Sequence, residues 1–167
     1  MAKSITTSVG GLADAGVRAA LLKLQTAVVD SCLNSAGIVI GSSSKAKPKI
    51  ANTTYALIDG VLVKKTTAEI TLTTANNVAN AKFNVHVLCM AADGTVTPRN
   101  GTEAATIGAI VWPTIPSGEV VIGFVLVNPT GTGGFVGGTT EYDDATVVPN
   151  AVFFSTPFPF NPNALSL

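Results

Sequence analysis

Residues Val120–Val127 read VVIGFVLV, apolar at every position apart from the single glycine. A strand that is apolar on both faces has to be covered on both, so it belongs at the centre of a sheet with material above and below it. The run is far shorter than the roughly 20 residues a helix needs to cross a bilayer. Glu119–Asn128 is therefore predicted to be the central strand of a layered, soluble β-fold.

The residues around it repeat the theme at short intervals. Tyr55–Ile58 and Val61–Lys65 flank Asp59-Gly60, a dipeptide suited to a two-residue hairpin turn. Glu69–Thr73 is rich in β-branched residues. In the next stretch Phe83, Val85, Val87 and Cys89 alternate with the mixed set Asn84, His86, Leu88 and Met90, the pattern of a half-buried strand. Asp93-Gly94 turns the chain into Thr95–Thr97. Ala105–Trp112 is predicted as another strand, joined to the central one by the turn Pro113–Gly118, and Ala145–Val148 and Val152–Ser155 as two short ones. With about eight short strands and no long helix between them, the fold class is mainly β: a single sandwich or barrel of jelly-roll type.

An α-helix is expected ahead of this domain. After a small, polar arm at residues 1–10, Val17, Leu21, Leu24 and Val28 fall four, three and four apart, with Leu22, Val29 and Leu33 forming a second stripe beside them. The spacing predicts a helix over 12–33 that ends before Gly37. Two stripes suit a helix lying on its own β-domain or one bundled with copies of itself. The division is then 1–37 for arm and helix and 38–167 for the β-domain. At the other end, TPFPFNPNALSL has three prolines in six residues and cannot join a central sheet. Its Phe158 and Phe160 are expected to lie along the domain or a neighbour.

Composition points to assembly. Apolar residues make up 47% of the 167-residue chain and charged residues 12%, about half the usual share. So few charges leave apolar area that self-association or docking would hide. Net charge is zero, yet every Lys and Arg lies at or before Arg99, and Glu103, Glu119, Glu141, Asp143 and Asp144 follow it unopposed. If the halves fold apart, each carries a field of its own sign, suited to docking; if they interleave, the asymmetry means little. Lys45, Lys47 and Lys49 alternate along one segment and, with Lys64 and Lys65, form a candidate basic patch. Without arginine or interleaved aromatics it reads as a solvated strand edge, not a specific nucleic-acid surface.

The search for chemistry finds little. Cys32 and Cys89 have no metal-ligand spacing and read as buried free thiols made in a reducing cytoplasm. MAKSITTSVGG lacks the apolar core of a signal peptide. His86, the only histidine, is expected to be satisfied or half-exposed on its strand, with Cys89 on the opposite face. Gly131–Gly138 lacks the Lys-Ser/Thr and following helix of a phosphate loop and reads as a mobile or tightly folded surface loop. Glu141, Asp143 and Asp144 are weighed as a calcium site and read as a solvated acidic loop, because the spacing is not that of an EF-hand. Three non-Phe aromatics, Tyr55, Trp112 and Tyr142, are few for a sugar-cleaving groove. No catalytic residue, metal or cofactor is assigned.

EVVIGFVLVNPTGTGGFVGGTTEYDDATVVPNAVFF, at Glu119–Phe154, resembles a family of tailed-bacteriophage virion structural proteins of head decoration, cement or head-fibre type. TTYALIDGVLVKK at Thr53–Lys65 and GTEAATIGAIVWPTIPSGE at Gly101–Glu119 are similar to the same family. The most specific elements are VNPTGTGGFVGGTT and the DDATVVPN that follows. The resemblance implies a non-enzymatic protein on the capsid exterior, made in the host bacterial cytoplasm. Its implied partners are further copies of itself, as a homotrimer or dimer, and the major capsid protein, with no membrane. The candidate contact residues are Val17, Leu21, Leu24, Val28, Lys45, Lys47, Lys49, Phe158 and Phe160. The alternative is a fibre or adhesin that displays the glycine-rich loop to a host-surface ligand.

Overall fold

The computed structural model describes residues 30–156, with Ala15, Gly16 and Ala19 ahead of them. Ten strands run in chain order: β1 (Ser31–Cys32), β2 (Ile38–Ile40), β3 (Pro48–Ile50), β4 (Thr54–Ile58), β5 (Val61–Lys65), β6 (Ala68–Glu69), β7 (Asn84–Ala91), β8 (Val96–Asn100), β9 (Glu119–Val127) and β10 (Val152–Ser155). They form three antiparallel sheets, β1-β4-β5, β2-β3-β6 and β10-β9-β7-β8. The protein is mainly β as expected, but of the sandwich or barrel anticipated no closed barrel is formed: the described residues make ten strands in three sheets where about eight strands were expected.

The four-stranded sheet is the backbone of the fold. β9 pairs with β7 on one side and β10 on the other, and both of its faces are covered. The side toward the other two sheets holds Leu88, Met90, Val120, Ile122, Val125 and Val127, packed with Cys32, Ala56, Ile58 and Val63 from one sheet and Ile38 and Ile50 from the other. On the opposite side Val85, Val87, Cys89 and Val121 are covered by Ile110, Trp112 and Ile115 from the segment between β8 and β9. β7 is therefore buried on both faces as well, where the alternation suggested only one.

Local chemistry explains the hairpin. Asp59 and Gly60 take φ of 50° and 77°, the paired left-handed conformations of a type I′ turn, which matches the twist of the strands it joins. Tyr55↔Lys64 and Leu57↔Leu62 then set the register.

Three predicted strands are corrected. Ala105–Trp112 contains a 3-10 turn at Ile107–Ala109, and this region makes only the single bridges Phe83↔Ala104 and Thr102↔Val111. It covers a sheet with side chains instead of extending one with its backbone. Glu69–Thr73 is strand only at its start, and a capping box at Thr73 and Asn76 then winds it into the 3-10 turn Thr74–Asn76. Ala145–Val148 is a turn, since Asp144 Oδ1 accepts from the Thr146 amide at 2.9 Å and the Asp144 carbonyl from Val148 at 2.7 Å. The expected N-terminal helix is not an element of the described structure. Ala15, Gly16 and Ala19 are helical, Ser31–Cys32 at its predicted end is a strand paired with β4, and most of 12–29 lies outside the described residues.

Candidate functional site

The lysines do not make the basic edge that their alternation suggested. β3 is the middle strand of its sheet, so Lys49 lies between Val39 and Glu69 on the outer face. Its Nζ donates to Ser42 Oγ at 2.7 Å. Lys45 and Lys47 sit in the β2–β3 connection, and Lys45 pairs with Asp143 at 2.5 Å, which raises the lysine above its ordinary range. Lys64 and Lys65 belong to a different sheet. Val17, Leu21, Leu24, Val28, Phe158 and Phe160 lie outside the described residues.

Lys45–Asp143 and Arg99–Glu119 each join a cation from the first part of the chain to a carboxylate from the last. Along the described residues the two halves interleave, the case in which the asymmetry says little about docking.

What the sheet topology does expose is an apolar face. β1-β4-β5 turns Cys32, Ala56, Ile58 and Val63 inward. Its other face carries half-buried Leu57 beside its partner Leu62, which is 63% exposed, and Tyr55 beside Leu33, both also exposed. Lys64, opposite Tyr55, is the cation of that face. The signal for it was present in YALI and VLVK, where apolar residues occupy both faces. Nothing in the sequence said that only one of those faces would be covered.

The glycine-rich loop is the tightly folded alternative and points inward. Phe135 is 1% exposed, and its amide and carbonyl bond those of Val78 reciprocally at 2.9 Å. A Cβ on Gly137 would overlap the Thr73 carbonyl oxygen, and the Gly137 amide donates to Asn77 Oδ1 at 2.9 Å. Beneath the loop the Phe135 ring lies 5.6 Å from His86 and 5.1 Å from Tyr142.

His86 is neither satisfied nor half-exposed, contrary to expectation. It is fully buried, and neither ring nitrogen has a hydrogen-bond partner. Burial pushes its pKa down to about 4, with a smaller opposing effect from the nearby Asn76 backbone, which does not reach hydrogen-bonding geometry. The buried Tyr142 hydroxyl likewise has no partner, and its pKa is raised by desolvation. Leu88 and Met90, on the same face as His86, were the sequence's hint that this face is covered.

The chain matches no family model, no curated protein and no solved structure.

His86 and Cys89 lie on opposite faces of β7, and burial pushes the Cys89 thiol up to about 12, so the two do not form a nucleophile–base pair. Cys32 is also a buried free thiol, raised by desolvation. In the acidic loop Asp143 faces Lys45 and Asp144 caps its own turn at Thr146, which lowers its pKa. Among the described residues no three His, Cys, Asp or Glu side chains converge as metal ligands, and no helix is long and apolar enough to cross a membrane.

Proposed function

We propose that this is a non-enzymatic virion structural protein, a decoration or cement component that binds the outside of a tailed-phage head as a homo-oligomer. The observation that carries the reading is the outward apolar face at Leu33, Tyr55, Leu57 and Leu62 on a small, weakly charged β-body. A patch of this kind marks an interaction site, and burying it contributes about 25 cal/mol per Å2 before ordering costs. The resemblance of Thr53–Lys65, Gly101–Glu119 and Glu119–Phe154 to phage head proteins supplies the kind of partner, the major capsid protein. In this reading the apolar stripe Val17, Leu21, Leu24 and Val28 joins the copies, and many weakly held copies add up on one shell. The fibre or adhesin reading has less support, because the loop it would display is packed inward by Phe135.

Immunogold electron microscopy of gradient-purified particles, with antibody against this chain, tests the proposal. Label over the head is expected. Label at the tail tip would move the function to host attachment, and particles without the chain in their protein content would overturn both. Leu62→Asp protein, still folded, should bind less to capsids that lack the chain.

A further inference from the structure

We propose that His86 is an acid-sensitive latch, whose protonation lifts the flap formed by residues 73–78 and 134–138 and exposes the aromatic pair Phe135 and Tyr142. The flap consists of the 3-10 turn after Thr73 and the inward part of the glycine-rich loop. These are joined by the reciprocal Val78–Phe135 hydrogen bonds and by Gly137 to Asn77. Its outer anchor is Asn76, whose Nδ2 donates to Asn100 Oδ1 on β8 at 2.5 Å, while Asn100 Nδ2 donates back to the Ala75 carbonyl. His86 lies below, with Phe135 over its ring.

Among the described residues no charge faces His86 from any element packed on it. β8 offers Asn100 and β9 offers Val125 as its cross-strand neighbours, the turn offers Asn76, and the loop offers Phe135. Tyr142, beyond Phe135, stays neutral throughout the acid range. Arg99, Glu119 and Cys89 lie on the opposite face of the sheet, in register with Val87, Ala91 and Val121. An imidazolium formed here has no carboxylate to pair with, and a buried unpaired charge is resolved by admitting water. β8 and β9 flank His86 as ladder partners, whereas the flap is tied over it by the Asn76–Asn100 and Asn100–Ala75 side-chain bonds and by the Phe135 ring. Local opening takes the least protected element first. One proton taken up on opening shifts the open population about tenfold per pH unit between the ordinary histidine range and pH 4.

Amide hydrogen exchange on the full chain from pH 7 to pH 4, corrected for the intrinsic pH dependence of exchange, reads this directly. Once the flap is lifted, its lone Val78–Phe135 bridge is open to water, so protection at these two amides is expected to fall about tenfold per pH unit below about 6.5 and to stay well below that of the β7–β9 ladder amides throughout. His86→Leu should flatten the dependence. An unchanged dependence in H86L, or flap amides as well protected as the ladder amides, would overturn the latch. An NMR titration of the His86 ring needs no variant: protonation at an ordinary histidine pKa with the flap amides still protected overturns it too.

Discussion

Arg99 on β8 and Glu119 on β9 are bound to each other across the strand that separates them. Both strands pair with β7, and the guanidinium reaches over it to grip the carboxylate through Nε to Oε2, at 2.6 Å, and Nη2 to Oε1. The pair ties three strands of the main sheet together and raises the Arg99 pKa. Its side chains are 30% and 14% exposed, against 55% and 43% for Lys45–Asp143.

That contrast in burial predicts a contrast in stability. Arg99→Ala, which strands a shielded carboxylate, is expected to cost about 1–3 kcal/mol in urea denaturation. Lys45→Ala should cost much less, and that small loss should vanish at high salt.

Acid should weaken the fold through His86. Its folded pKa of about 4 lies below the ordinary 6.5, so the unfolded chain binds the proton first. Stability is then full above pH 6.5 and falls as pH drops toward 4, by up to about 3 kcal/mol. Thermal melts of wild type and H86L across this window should diverge only on the acid side.

Removing the Tyr142 hydroxyl should do no harm. It is buried without a partner between Phe135 and Phe153, so Tyr142→Phe discards a desolvated group and keeps the ring contacts. We expect unchanged stability or a gain of about 1 kcal/mol, read as an upward shift in the denaturation midpoint. A clear loss would mean that the hydroxyl is bonded in solution.

Two glycines give a matched test of the inward loop. Gly137→Ala places a methyl against the Thr73 carbonyl and should cost about 1–3 kcal/mol, whereas Gly108→Ala meets nothing within 4 Å and should stay within about 0.5 kcal/mol. Differential scanning calorimetry of both variants is sufficient.

Elements governed by neighbours in the chain are legible in the amino-acid sequence. Asp59-Gly60 places its hairpin because two adjacent residues set the turn, and VVIGFVLV announces a central strand because both its faces are apolar. Ala105–Trp112 misleads because apolar, β-branched residues suit a covering layer as well as a strand. The strand expected at Ala145–Val148 does not form because one short side chain, Asp144, captures the amide that a ladder would have used. The candidate site is hardly legible at all: Lys49 is an edge or a middle residue according to whether β6 pairs beside it, and a sequence does not state pairings between distant strands.

A mainly β chain with a doubly covered central strand, a tight hairpin and few charges follows from composition and short-range periodicity, and so from the order of residues alone. It takes the packed fold to turn the glycine-rich loop inward, to bury His86 without a side-chain partner and to set Lys45 against Asp143. Those outcomes depend on contacts between residues tens of positions apart, such as Phe135 with His86 and Lys45 with Asp143. Burial and pairing of that kind belong to the assembled sheets, where one element's cover is another element's exposed face.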